Sequence, residues 1–283
     1  METDTSTPSM QRPYDIGVAL SGGGARGFAH AGALLAIEEA GIKPDIIAGV
    51  SAGAIAAVLY AGGLKPMDIA KKFANRGFRD FATLNIGREG IFKFDRLENF
   101  IYSAIGNRRN LEDLDIPTYL GVTDFDNGVP TYFNSGEIGP RVAASCSIPI
   151  VFKPIEINGV NYVDGGVLRN HPAWIIRDKC RKLIGVNVSP LRQGKGYKSL
   201  VDVAMRTYNV MAKANQARDM ALCDVSVQTP EIAAYAVFDL SNIKNVFISG
   251  YVHTRSALRQ AGMWNPNGIP PRISDLEPTS ENI

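Results

Sequence analysis

Ser51 and Asp164 are the two side chains whose surroundings invite a reaction. Ser51 sits in Gly49-Val50-Ser51-Ala52-Gly53, the spacing of a nucleophile elbow, a sharp strand-to-helix turn that lifts a serine hydroxyl into the open. Asp164 opens Asp164-Gly165-Gly166, a glycine turn that can present a carboxylate just as tightly. A hydroxyl is a weak nucleophile until a base takes its proton. Asp164, ionised at neutral pH unless strongly desolvated, could be that base without help from a histidine. Gly49 and Gly53 would let strand and helix close around the serine, and Gly165 and Gly166 would shape the turn that carries the base.

A third segment supplies what such a pair lacks. Residues 16–21 read as a buried strand running into Gly22-Gly23-Gly24-Ala25-Arg26-Gly27, with a helical pattern over 28–40. Consecutive glycine amides at a helix start favour negative charge. Gly22, Gly23 and Gly24 are therefore candidates for an oxyanion hole over an ester attacked by Ser51. Arg26 is grouped with them, since it could add positive potential there or pin the loop. The same loop satisfies the dinucleotide fingerprint Gly-x-Gly-x-x-Gly. That use needs an acidic residue at the end of the second strand. Asp45 has nearly the required separation but starts its strand, and Ser51 occupies the end.

Three histidines are alternatives as base. His30 lies about one turn past the glycine loop, His171 in an Asn-His-Pro helix entry, and His253 in a helical pattern over 246–258. The order Ser51, Asp164, His253 would fit an α/β-hydrolase triad, but His253 has none of the flanking turn residues of a histidine-bearing loop. Cys146, Cys180 and Cys223 are dispersed without metal-ligand spacing. No metal and no cofactor is expected, and the cysteines read as free thiols of a reducing compartment.

Four blocks in order resemble the patatin-like phospholipases, most closely the bacterial branch related to neuropathy target esterase. They are residues 22–32, residues 49–54, Ala144-Ser145-Cys146-Ser147-Ile148-Pro149 with Phe152-Lys153-Pro154, and Asp164-Gly165-Gly166 with Asn170-His171-Pro172. The resemblance covers roughly 14–262. It implies a three-layer α/β/α fold with a mostly parallel central sheet. It also implies a metal-free Ser51/Asp164 dyad that cleaves lipid acyl esters of phospholipid or lysophospholipid type. Val50 stands where that family usually has Thr, and Arg169 where Asn or an acidic residue is common; Arg169 could alter substrate choice. Two other functions remain open: acyl transfer by the same pair, and a silent lipid-binding module.

The elements needed to position these groups are legible as α/β. Strand patterns fall at 45–49, 119–123, 151–157, 160–163, 183–188 and 225–227, and Asn158-Gly159 signals a hairpin. Helical patterns fall at 52–61, 95–105, 140–146, 173–180 and 199–220. Three segments are expected: a flexible tail over 1–13, one hydrolase domain over 14–262 and a C-terminal tail over 263–283. Within the domain, 73–105 is a candidate cap or lid, because Phe73, Phe78, Phe81, Phe92, Phe94 and Phe100 interleave there with Arg76, Arg79, Arg88, Lys93 and Arg96. The uncharged run 46–64 is long enough to span a bilayer, yet its four glycines and Ser51 fit a buried strand and helix better. A net charge of +2 gives no reason to expect nucleic acid. No secretory pattern is visible in 1–13, so a cytoplasmic enzyme with transient membrane-surface contact is expected.

Overall fold

Apolar runs of strand length alternate with helical patterns, and they stack into three layers. The computed structural model describes residues 12–73, 76, 80–81, 83–84, 92–194, 196–236 and 240–264. In chain order the strands are β1 (Tyr14–Leu20), β2 (Ile46–Val50), β3 (Thr83–Leu84), β4 (Phe92–Lys93), β5 (Thr118–Asp124), β6 (Val129–Phe133), β7 (Ile155–Ile157), β8 (Val160–Asp164), β9 (Cys180–Asn187) and β10 (Val225–Gln228). The helices are α1 (Phe28–Glu39), α2 (Ala52–Ala61), α3 (Pro66–Phe73), α4 (Asp95–Ile105), α5 (Ile138–Cys146), α6 (Ala173–Ile176), α7 (Leu200–Met220) and α8 (Ile243–Gln260). The tails expected over 1–13 and 263–283 lie almost wholly outside the described residues.

The central sheet runs β10-β9-β1-β2-β5-β8-β7, with β6 also paired to β5. The strands from β10 to β5 pair in parallel, and β6, β7 and β8 add antiparallel pairs at one side. Both faces are covered, as parallel strands require. Val18, Leu20, Ile47, Ile184 and Val186 face a large core built with α1, α2 and α8, whereas Ala19, Ile46, Ala48 and Leu183 face a smaller core built with α6. Nine of the twelve residues of α1 are buried, so it is enclosed all round rather than amphipathic.

Two register facts position the site. β6 pairs with β5 from Leu120 through Asp124 without interruption, so it fills one edge of β5. β2 pairs opposite Thr118–Gly121 and β8 opposite Val122–Asp124, so both lie on the other edge. They run in opposite directions and meet end to end, with Val50 opposite Gly121 and Asp164 opposite Val122.

Three expectations shift. The strand expected over 151–157 begins only at Ile155, because Pro149, a left-handed Ile150 (φ 72°) and Pro154 break the preceding run. The helix expected over 173–180 stops after Ile176 in a short 3₁₀ turn, because Cys180 is drawn into β9 opposite Tyr14. β6 was not anticipated, although Asn127-Gly128 is a hairpin signal before it, with Gly128 left-handed. The uncharged run 46–64 is β2 followed by α2, and no helix among the described residues is long and apolar enough to cross a membrane.

The α1–α8 crossing depends on two glycines. A Cβ at Gly32 would overlap the Phe247 carbonyl, and one at Gly250 would overlap the Ala29 carbonyl. Gly32→Ala or Gly250→Ala should therefore force the helices apart at a cost of about 1–3 kcal/mol. Thermal unfolding should show Tm lowered by roughly 3–10 °C; an unchanged Tm would mean that the helices do not cross this closely.

Candidate active site

Ser51 is held in a strained turn between β2 and α2. Its φ of 53° and ψ of −121° are outside the regions an L-residue adopts freely. The turn closes because Gly49 and Gly53 face each other: a Cβ on Gly49 would overlap the Gly53 carbonyl, and one on Gly53 the Leu20 carbonyl. The Ser51 N–H donates to Ser145 Oγ (2.9 Å), and the Ser145 hydroxyl donates to the Gly121 carbonyl (2.8 Å). Ser145, at the end of α5, thus clamps the elbow to β5.

Asp164 ends β8 and is fully buried. Its Oδ1 accepts from the Gly166 N–H (2.8 Å) and the Tyr208 hydroxyl (2.9 Å). Its N–H donates to the Ser147 carbonyl (2.9 Å), and its carbonyl accepts from the Thr123 hydroxyl (3.2 Å). Gly165 packs directly against the Gly121 carbonyl. Oδ2 is buried without a well-aligned hydrogen bond, while the Ser51 hydroxyl lies close enough to the carboxyl group to lower its pKa. Burial outweighs the lowering contacts of Ser51, Gly166 and Tyr208, and the carboxyl pKa rises from 3.8 to about 6.

The glycine loop lies beside this pair, with Gly22 close to Ser51 Cβ. The Gly22 N–H donates to the Asn170 carbonyl (3.1 Å), so this amide is already committed. That narrows the anion-binding expectation to Gly23 and Gly24, at the entry of the 3₁₀ turn that continues into α1. The Arg26 guanidinium points elsewhere: Nε donates to the Tyr235 carbonyl (2.9 Å) and Nη1 to the Pro190 carbonyl (3.0 Å). Both bonds tie the glycine loop to neighbouring segments. Burial, with Arg192 nearby, lowers its pKa.

None of the three histidines is hydrogen-bonded to Ser51 or Asp164. His253 contacts Glu231 at 2.8 Å on α8. His30 and His171 are fully buried, with pKa values lowered to about 4 and about 3 chiefly by burial, so both stay neutral at pH 7. His30 Nε2 contacts the Ser21 carbonyl (2.8 Å), and neither ring nitrogen of His171 has a hydrogen-bond partner among the described residues. Cys146 lies beside Ser51, and burial and the Asp164 charge raise its pKa well above 9, leaving it a thiol. Arg169 turns away from Asp164 to pair with Asp219 (Nε–Oδ2 2.8 Å) and stack on Trp174. Among the described residues no cluster of His, Cys, Asp and Glu could hold a metal.

An apolar pocket of about 140 Å³ opens at Ser51 and Gly24. Its walls include Phe28, Phe73, Phe81, Phe94, Leu97 and Phe152. Of the six phenylalanines expected in a cap or lid, Phe73, Phe81 and Phe94 line this pocket; Phe100 packs edge-on against Phe73 and Phe81, and Phe94 stacks on Phe152. Phe78, Arg79 and Arg88 lie outside the described residues. Two site-forming residues escaped the sequence reading. Ser145 lay in a motif block without an assigned role, and Tyr208 looks like any core aromatic of a helix, with no local signal of its partner.

A profile described as Patatin-like phospholipase matches residues 18–176. Fold and match together point to one class, the patatin-like phospholipases. Lysophospholipase NTE1 of Eremothecium gossypii is 27% identical over 305 residues, covering 94% of this chain and 19% of that protein. Lysophospholipase NTE1 of Saccharomyces cerevisiae is 33% identical over 180 residues, covering 61% of this chain and 11% of that protein. The chain thus spans a fifth or less of these relatives. The crystal structure of VipD from Legionella pneumophila shares the fold, with a TM-score of 0.51 at 15% identity over 88% of this chain and 67% of that one. The chain belongs to the patatin-like phospholipase family.

Burial of Asp164 has a signature in stability. A carboxyl whose pKa rises on folding favours the folded state below its unfolded value of 3.8, and that contribution is lost as pH rises through about 6. Asp164→Asn, neutral at every pH, should be more stable than wild type at pH 7.5 by about 2–3 kcal/mol, with the gap closing below about pH 4. Urea unfolding at both pH values checks this; a gap of equal size at both would contradict a desolvated carboxylate.

Proposed function

We propose that this chain hydrolyses the acyl esters of phospholipids or lysophospholipids through a Ser51/Asp164 dyad and an acyl-enzyme. The observation that carries the reading is the end-to-end meeting of β2 and β8 on one edge of β5, with Ser51 and Asp164 at the facing ends. Ser51 attacks the ester carbonyl while Asp164 takes its proton. The carbonyl oxygen becomes an oxyanion beside the amides of Gly23 and Gly24, where one such donor is worth about 3–4 kcal/mol. The alcohol leaves with the proton held by Asp164. Water, deprotonated by the same carboxylate, then releases the acid and restores Ser51.

The acyl chain occupies the apolar pocket beside Ser51, whose walls offer it little besides hydrocarbon and aromatic carbon. Asp164 serves as base only when ionised, and its pKa near 6 sets it close to the neutral range, where a general base is most effective. Tyr208 holds Oδ1 and favours the ionised form, leaving Oδ2 to the serine. The names of the lysophospholipase relatives support a lipid ester as substrate.

Two measurements test this reading. Ser51→Ala should lose hydrolysis of a lysophospholipid and labelling by a fluorophosphonate. The wild-type pH–rate profile should have an acid limb near pH 6, and Tyr208→Phe, which removes a contact that favours the carboxylate, should move that limb upward while the folded state persists. A limb that does not respond to Tyr208→Phe, or hydrolysis that survives Ser51→Ala, would refute the dyad.

A further inference from the structure

Helix α7 has two unlike faces. Toward the protein, Tyr208 donates to Asp164, and Tyr208 and Ala212 join Ile148, Val151 and Phe152 in a buried cluster backed by Val201 and Met205. Away from it, Leu200, Val203, Thr207, Val210, Ala214 and Ala217 are exposed at steps of three or four residues. They form a stripe without a single charge, about 25 Å long. An outward helix face on a protein surface ordinarily carries charged residues. Leu200 is 85% exposed and Val203 50%. Leu191 and Tyr197, in the loop leading to the helix, are exposed as well.

The charges beside this stripe are almost all of one sign. The described residues of 191–218 include Arg192, Lys198, Arg206, Lys213 and Arg218 against one acidic residue, Asp202, in a chain whose total is only +2. Asp202 is tied into the helix start, accepting from the Lys198 N–H (2.9 Å), while its own N–H donates to Ser199 Oγ (3.1 Å). Arg206 Nη1 donates to the Arg192 carbonyl (2.7 Å), which fastens the loop to the helix. Exposed apolar side chains bordered by cations are what an interfacial helix presents to anionic lipid. The surface also adjoins the site: the carbonyl of Pro190 holds Arg26 of the glycine loop, and Tyr208 of the same helix holds Asp164.

We infer that residues 191–194 and 196–198 and the outward face of α7 form the surface by which this protein docks on an anionic bilayer. The inference rests on the lipid-ester reading above and assigns the membrane contact to a region other than the phenylalanine-rich segment 73–105, of which Phe73, Phe81 and Phe94 line the pocket. Docking there would bring the cradle of Asp164 and the glycine loop to the lipid boundary.

Cosedimentation with phosphatidylcholine vesicles containing about 30 mol% phosphatidylglycerol, against pure phosphatidylcholine, tests this. Wild type and Ser51→Ala should bind the anionic vesicles alike and the neutral ones weakly. Leu200→Glu/Val203→Glu and, separately, Arg192→Glu/Lys198→Glu should each weaken that binding about tenfold. Hydrolysis of vesicle-borne phospholipid should fall in parallel, and turnover of a short-chain soluble ester should stay at the wild-type rate, which also reports that the variants fold. Vesicle binding by both variants at the wild-type level would overturn the inference. So would wild-type self-association that Leu200→Glu/Val203→Glu abolishes while vesicle binding persists, since the face would then join two copies. If wild type docks as expected but hydrolyses neither substrate, the docking surface stands and the hydrolase reading falls.

Discussion

β2 and β8 run toward each other along a single edge of β5, and the side chains proposed to react leave the backbone where those strands run out. The serine and the carboxylate are far apart in sequence, so nothing local can align them. A shared partner strand can. Gly121 and Val122 are consecutive residues of β5, and they fix Val50 and Asp164 in adjacent registers. The end of α5 locks both: Ser145 takes the Ser51 N–H, and the Ser147 carbonyl takes the Asp164 N–H. A shift in the register of either strand would part the pair, which is why a rigid sheet rather than a loop carries this geometry.

Burial is the second constraint. A carboxylate enclosed as fully as Asp164 is costly unless its oxygens are satisfied, and here only Oδ1 is. The unsatisfied oxygen and the raised pKa are two faces of one condition: the group is more basic than an ordinary carboxylate and has a vacant acceptor for a hydroxyl proton. The same enclosure silences the neighbouring groups. Cys146 remains a thiol, His30 and His171 remain neutral, and Arg26 and Arg169 are spent on carbonyls and on Asp219.

Much of this was readable in the chain before folding. Glycine spacing around residue 51 announces a tight strand-to-helix turn, since only glycine tolerates the approach of Gly49 to Gly53 and of Gly53 to Leu20. The strands β1, β2, β5 and β9 and the helices α1, α2, α4 and α7 fall close to the apolar patterns that predict them. Contacts between distant segments were not readable. Tyr208 reaches Asp164 across 44 positions, and no local pattern distinguishes it from a packing residue. The commitment of the Gly22 amide to Asn170, and of the Arg26 side chain to two carbonyls, depends on loops that meet only in the folded protein. For 73–105, composition leaves cap and lid equally open, since it cannot say whether a ring faces lipid or a neighbouring ring.

The proposed reaction passes through a covalent acyl group on the Ser51 hydroxyl. Rapid-quench mass spectrometry of the enzyme mixed with a lysophospholipid reads it directly. The expected result is one acyl mass on the peptide containing Ser51, formed and lost at rates consistent with turnover, and absent from Asp164→Asn. An acyl group on Cys146 or any other residue, or steady release of fatty acid with no adduct at any time, would contradict it.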